Sequence, residues 1–142
     1  MTLVGLTPAD PAWSDFLSAL TDSDLPVDDL TDAGQFFFVS EAGAYGGFAL
    51  LGSHALLRSI VTPPSLRGTG EGRRMVEALC REAAEQGAST VWLLTTGAAD
   101  FFASCGFDRT SRADAPNAIR TTKQFSGICP GSAPLMRRVL AA

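Results

Sequence analysis

The segment Arg67-Gly68-Thr69-Gly70-Glu71-Gly72 restricts this chain more than any other. Three glycines within five residues separate an apolar stretch that reads as a strand from Met75, Val76, Leu79 and Ala83, which keep helical spacing up to Gly87. Glycine lets the backbone turn tightly and present consecutive N–H groups outward. The first N–H groups of the following helix have no intrahelical partner, and its dipole is positive at that end. Such a junction favours a bound phosphate or pyrophosphate. A plain glycine-rich turn capping a helix is the alternative, and glycine spacing alone does not decide between them. No G-x-x-x-x-G-K-[ST] occurs, and glycines at intervals of two do not make the G-x-G-x-x-G of a dinucleotide turn.

The flanking pattern predicts the rest of the order. Residues 2–6 read as a first strand. Trp13, Phe16, Leu17 and Leu20 fall at i, i+3, i+4 and i+7 of a helix, with Pro8 and Pro11 before it or in its first turn. An acidic loop or short turn spans residues 28–32. Gln35–Ser40, with Phe36-Phe37-Phe38-Val39, is a strand by composition. Residues 44–51 resume as a strand in which Gly46-Gly47 hints at a bulge or a close backbone approach. His54–Val61 completes an antiparallel meander, which Pro63-Pro64 ends for want of an N–H. Glu77 and Arg81 are expected to form a solvated i, i+4 pair on the helix after the glycines. Residues 90–95 are a nearly continuous apolar run, as in a strand covered on both faces. Residues 98–105 read as a short helix, 107–112 and 135–140 as two last strands, and 116–125 as a helix started by Pro116. The order β-α-βββ-α-β-α-β-(α)-β belongs to the mixed α+β class.

Of the 142 residues, 46% are apolar and 18% charged, enough to bury a core, and one domain over residues 1–142 is expected. Eleven Lys and Arg against 15 Asp and Glu leave a net charge of −4, which argues against affinity carried by nucleic-acid phosphates or an anionic membrane. No apolar run approaches the roughly 18 residues that span a bilayer. The first residues lack the basic start and apolar stretch of a signal peptide, so a cytoplasmic location is expected. Cys80, Cys105 and Cys129 are far apart and read as buried apolar residues, and with a single His54 no metal site is expected.

R-x-x-G-x-G after a strand, with a proline just upstream, resembles the acetyl-CoA pyrophosphate loop of the GCN5-related N-acetyltransferase (GNAT) superfamily. Arg67, Gly70 and Gly72 fill its marked positions. A strand ending at Thr95-Thr96 and a short helix closing with Phe-x-x-x-Gly-Phe, Phe102 to Phe107, also match. A narrower resemblance, to the arsenic-resistance type and to the acetyltransferase domain of N-acetylglutamate synthases, rests on a further set of residues. These are Leu57-Arg58-Ser59-Ile60-Val61, Leu94-Thr95-Thr96 with Phe101-Phe102, and Ala115-Pro116, Ile119, Thr122, Phe125 and Cys129-Pro130. The resemblance implies a mostly antiparallel mixed sheet of about six or seven strands, helices on both faces, and a splay between strands 4 and 5.

It also implies roles. Ile60, Val61 and Thr62 form the strand edge that meets the pantetheine arm of acetyl-CoA. The pyrophosphate rests on Arg67, Gly68, Thr69, Gly70, Glu71 and Gly72, with Arg73 close by. The Glu71 carboxylate is expected to point to solvent, since it would repel the diphosphate. Acyl transfer to a free amine needs an oxyanion donor and a proton for the thiolate, but no enzyme nucleophile. Many relatives carry asparagine and tyrosine where this chain has Thr95 and Phe102, and Phe102 cannot donate a proton.

No general acid or base is assigned. Thr95, Thr96 and Tyr45 are the remaining catalytic candidates, against the readings of a strand-ending threonine and a packed aromatic. His54 and Glu41 suit a base by type but lie at hairpin turns. Arg58, Thr96 and Phe102 are the candidate substrate residues. Arg58 interrupts an apolar strand and must find an anion. Either a substrate carboxylate takes its planar fork, or an acidic residue of the first helix or its loop forms an internal salt bridge. Arg112, Arg120 and Lys123 could add to an anion-binding mouth or be surface charge.

The reading is an acetyl-CoA-dependent N-acetyltransferase, with no metal, acting on the amine of a small amino-acid-like molecule. A glutamate-like or organoarsenical acceptor, and so a resistance role, is what the resemblance allows. The alternatives are a CoA-binding regulatory domain without turnover and acetylation of a protein or peptide. Pairing of two copies through their sheets is a further expectation.

Overall fold

The fold is described from a computed structural model over residues 1–123, 125 and 133–140. The run Phe36-Phe37-Phe38-Val39 explains its layering. Successive side chains of a strand point to opposite faces, so an unbroken apolar run needs cover on both. Phe36 and Phe38 join one apolar cluster, and Phe37 and Val39 join another.

The first cluster lies under a helix of residues Glu71–Glu85 (α2), which buries Met75, Val76, Leu79, Cys80 and Ala83. The second lies under a helix of residues Trp13–Asp22 (α1), which buries Phe16 and Leu20. Phe16 sits 5.3 Å from both Phe37 and Tyr45, ring centre to ring centre.

Seven strands make one mixed sheet: β1 Leu3–Leu6, β2 Gln35–Ser40, β3 Tyr45–Leu51, β4 His54–Val61, β5 Thr90–Leu94, β6 Asp108–Thr110 and β7 Leu135–Val139. Their order is β1-β2-β3-β4-β5-β7-β6, and β4–β5 is the parallel pair in an otherwise antiparallel sheet. Helix α2 supplies the crossover that a parallel pair requires. Two shorter helices, α3 Ala99–Ser104 and α4 Asn117–Arg120, follow along the chain. A third cluster, with Leu56, Trp92, Ile119 and Leu135, packs α4 beside α1's face of the sheet.

Several sequence expectations shift. The helix predicted over 116–125 forms over Asn117–Arg120, with Pro116 just ahead of it, breaks at a turn at Thr121 and Thr122, and is helical again at Lys123 and Phe125, while Gln124 lies outside the described residues. The strand expected over 107–112 is confined to Asp108–Thr110 by a turn of 3-10 helix at Arg112–Asp114. A second such turn, Pro64–Leu66, follows the proline pair. Glu77 does not form the pair expected with Arg81. It reaches across to β7 and binds Arg138 at 2.6 Å, where partial burial strengthens the attraction. The Glu77 bond raises the Arg138 guanidinium further above its ordinary value.

The glycine pair in β3 is explained on both counts raised by the sequence. A Cβ on Gly46 would stand 2.7 Å from Leu79, and one on Gly47 would collide with the Phe36 carbonyl and meet the Phe37 ring at 2.5 Å. Gly47→Ala is therefore expected to lower unfolding stability by about 1–3 kcal/mol through overpacking. Urea titration followed by tryptophan fluorescence checks it, with Gly5→Ala, where nothing lies within 4 Å, as the comparison.

Candidate functional site

The site is made by the way β4 leaves β5. The two strands pair at His54↔Thr90, Ala55↔Val91 and Leu56↔Trp92, and no further. On its other edge β4 pairs Gly47↔Arg58 and then Tyr45↔Val61, so two steps along β3 face three along β4. The extra residue is a bulge, which bends the strand and increases its twist. Ser59 takes it up with a left-handed φ of 60°. Beyond Leu56 the strands diverge around a cleft of about 800 Å³. Leu57, Arg58, Ser59, Ile60, Val61 and Thr62 line one wall, and Leu93, Leu94, Thr95 and Thr96 the other.

The glycine turn sits at the same cleft. Gly68 and Gly70 have φ of 79° and 85°, a region open to glycine at little cost. Gly70 is the N-cap of α2. A Cβ on Gly72 would press within 3.2 Å of the Thr62 hydroxyl and 3.3 Å of Phe101, so the turn lies tight against strand and α3. Arg67 and Arg73 line the cleft and are exposed. Thr69 does not line it. The Thr69 carbonyl accepts from Arg74 at 3.3 Å, and its hydroxyl donates to Leu66.

Glu71 corrects an expectation. It is buried rather than turned to solvent, accepts a hydrogen bond from Ser40 at 3.2 Å, and pairs with Arg74 at 2.9 Å. A carboxylate in the first turn also meets the positive end of the helix dipole, so three favourable contacts offset its desolvation. Arg74 thereby ties Thr69 to Glu71 and holds the turn in shape.

Arg58 is buried together with Asp29, and the internal salt bridge is the arrangement the structure holds. Its Nη1 and Nη2 reach Asp29 Oδ2 and Oδ1, each at 2.6 Å. Nη1 also donates to Gln35 at 3.2 Å, and Nε donates to the Ser59 hydroxyl at 3.3 Å. The Phe37 ring lies 5.7 Å from the guanidinium. With its fork taken by Asp29, Arg58 has no bidentate face for the substrate carboxylate that the sequence suggested. The three outer cations are also engaged. Arg112 donates to the carbonyls of Ala133 and Phe125, Arg120 to that of Ala115, and Lys123 pairs with Asp32 at 2.7 Å.

Thr95 is buried on the cleft wall, where its hydroxyl accepts the Ala98 N–H at 3.0 Å and so steadies the approach to α3. Thr96 is exposed there, and Phe102 adds an apolar surface backed by Phe101 and Phe107. Tyr45 is not on the wall. It packs against Phe16 on the α1 side, and burial, then the Asp15 carboxylate, raise its phenol above the ordinary value. His54 accepts from the Trp92 indole at 3.1 Å at the far end of β4, and Glu41 accepts the Thr2 N–H at 3.0 Å, both away from the cleft.

The sequence reading missed Ser23, Asp24, Leu25 and Pro26, which close the cleft from the α1–β2 loop. It also left Asp29 unnamed within the acidic loop. The only signal was the need of Arg58 for an anion.

Cys80 and Cys105 are buried free thiols off the cleft wall, while Cys129 lies outside the described residues. Among the described residues no group of His, Cys, Asp and Glu could hold a metal ion, and no helix is long and apolar enough to cross a membrane.

The fourth strand, bulged, thus splays from the parallel fifth, with the glycine turn and the α2 N-terminus at the mouth of the cleft. Residues 9–107 match the model of the acetyltransferase (GNAT) family, and the chain belongs to that family. No curated protein matches the chain. Among solved structures, the Mycobacterium tuberculosis protein Rv2747, crystallised with CoA, is 18% identical with a TM-score of 0.78, over 99% of this chain and 100% of that one. N-acetylglutamate synthase from Neisseria gonorrhoeae, complexed with coenzyme A and N-acetyl-glutamate, is 16% identical with a TM-score of 0.74. The match covers 100% of this chain but 36% of the synthase, so the chain spans about a third of its length. An aminoglycoside 6'-N-acetyltransferase complexed with coenzyme A is 16% identical, with a TM-score of 0.70 over 100% of this chain and 98% of that one.

Burial lifts the Cys80 thiol from its ordinary 9.0 to about 11 and raises that of Cys105. Only the thiolate is nucleophilic, so near pH 8 Cys80 should resist iodoacetamide in the native protein and react in urea, as read by peptide mass mapping. The stabilising effect of keeping it protonated is complete below 9.0 and is lost as pH climbs through about 11.

Proposed function

We propose that this protein is an acetyl-CoA-dependent N-acetyltransferase acting on the amine of a small molecule. The observation that carries the reading is one cleft joining the glycine turn at the α2 N-terminus to the splay between β4 and β5. Membership of the GNAT family supports it, as do relatives crystallised with coenzyme A.

The turn fits a diphosphate. Gly68, Gly70 and Gly72 keep side chains out of the approach, the helix end offers N–H donors, and Arg67 and Arg73 supply two exposed cations. Glu71 does not oppose this, because Ser40 and Arg74 engage its carboxylate. Ile60, Val61 and Thr62 offer an edge free of β5 for the pantetheine arm.

The chemistry asks little else of the chain. A free-base amine attacks the thioester carbonyl, a C–N bond forms, the C–S bond breaks, and the nitrogen gives its proton to water. Ser59 and Ile60 fall in the bulge between the Gly47↔Arg58 and Tyr45↔Val61 pairs and line the cleft, so the main chain there is in position to meet the developing oxyanion. The thiolate takes its proton from water, since Phe102 has none to give.

The amino-acid-like acceptor, glutamate-like or organoarsenical, and with it a resistance role, rests on the sequence resemblance of residues 57–61 and 94–102. The synthase among the structural neighbours supports it, while the engagement of Arg58 by Asp29 weighs against a carboxylate held there. Residues 23–26 are the chain's own contribution to acceptor choice.

The direct test is thiol release from acetyl-CoA in the presence of glutamate, aspartate, phosphinothricin-like and arsenical amino acids, and a free peptide. Release with any small amine upholds the proposal. Coenzyme binding without release for every amine points to a regulatory CoA-binding domain, and acetylation of the peptide alone to a protein acetyltransferase. At Gly70, Gly70→Val forces a side chain into a left-handed backbone, a strain of roughly 1–2 kcal/mol, at the anion site itself. It should weaken acetyl-CoA binding by calorimetry at least tenfold while the far-ultraviolet spectrum stays native.

A further inference from the structure

Ser59 is a side-chain-bearing residue with a φ of 60° in the middle of the strand that walls the cleft. Such a conformation persists only where its surroundings over-determine it. Three observations bear on what does so here. The Arg58 Nε donates to the Ser59 hydroxyl at 3.3 Å. The Arg58 fork is clamped by Asp29 at 2.6 Å on both arms, with Gln35 as a further acceptor. Both side chains of the pair are withdrawn from water, at 2% and 5% exposure.

A buried ion pair is weak evidence for stability, because well-packed apolar residues of the same volume often do as well. What the pair supplies here is a fixed direction. Asp29 lies in the loop whose residues 23–26 close the cleft, and Arg58 abuts the bulge, so the pair joins the two.

We infer that Asp29, acting through Arg58, is a positioning residue that holds Ser59 left-handed and so keeps the main chain of Ser59 and Ile60 on the cleft. This rests on the acetyltransferase reading of the same cleft. Without the clamp, the bulge relaxes toward ordinary strand geometry, and the main chain of Ser59 and Ile60 leaves the place where charge develops in the transition state. The loss in the Ser59 variants should fall on kcat, since the diphosphate contacts at residues 67–73 do not use the clamp, whereas the Asp29 and Arg58 variants should also raise the acceptor KM through residues 23–26, which share a loop with Asp29.

The test compares wild type with Asp29→Asn, Arg58→Lys, Ser59→Ala and Ser59→Gly, reading kcat, both KM values, and coenzyme affinity by calorimetry. Asp29→Asn, Arg58→Lys and Ser59→Ala should lower kcat on the order of a hundredfold, with coenzyme affinity within about threefold. Ser59→Gly should recover part of the Ser59→Ala loss, because glycine takes a positive φ without steric cost. The Ser59 variants keep the buried pair, so they decide the matter if the charge variants do not fold.

Wild-type kcat in Ser59→Ala, or no difference between Ala and Gly at 59, overturns the inference. So does an Arg58→Lys variant in which only the acceptor KM rises, which would make Arg58 a substrate ligand. Carbon chemical shifts of residue 59 give a readout that needs no turnover: they should leave the left-handed range in Asp29→Asn, and shifts that stay there overturn the inference. A wild-type protein that binds coenzyme but releases no thiol defeats the acetyltransferase reading and leaves the clamp to those shifts.

Discussion

A single left-handed residue in β4 costs on the order of 1–2 kcal/mol, and the open end of the sheet depends on it. The bulge around Ser59 sets two steps of β3 against three of β4 and adds twist to β4 in the stretch beyond Leu56, where its parallel pairing with β5 has already ended. Both strands are otherwise anchored where bending is least tolerated. Ala55, Leu57, Val91 and Leu93 share the core under α2, while Leu56 and Trp92 share the cluster on the opposite face. The rigid half of the sheet therefore positions the open half.

Charge along the cleft is sorted by the same architecture. Arg67 and Arg73 stay exposed at the glycine turn, where an anion gains most from the helix end. The two buried charges nearest the anion and acyl positions, Glu71 and Arg58, are each balanced by an internal partner, Arg74 and Asp29. Neither then repels nor captures a ligand on its own, and both stiffen the backbone around them. That division, with cations left exposed at the turn and buried charges paired internally, follows from the high cost of leaving a buried charge uncompensated.

Much of this was legible in the residues. Trp13, Phe16, Leu17 and Leu20 at helical spacing, the phenylalanine run of β2 and the continuous apolar stretch of β5 each encode a period or a two-sided burial that no alternative element satisfies. The bounds Gln35–Ser40 and His54–Val61 are reproduced as read. The weaker readings lay where local pattern competes with tertiary contact. Residues 116–125 have helical character, and Asn117–Arg120 form α4 with Ile119 buried against the sheet, but a turn at Thr121 and Thr122 interrupts the helix before Lys123 and Phe125 are helical again. Glu77 has a helical neighbour at Arg81, but the topology brings Arg138 closer to hand.

The sequence by itself determined the order of elements, the two-faced burial of the sheet and the tight glycine turn ahead of α2, because each is a local property of spacing and backbone freedom. Only the tertiary structure decided which charges meet. Whether Arg58 faces a ligand or Asp29 depends on how the loop after α1 folds back over the sheet, 29 residues away in the chain. Whether Glu71 meets water or Ser40 depends on where the β2–β3 hairpin lies against α2. Pairings of that kind carry no periodicity, and they are settled by packing, which brings distant residues together and removes the water between them.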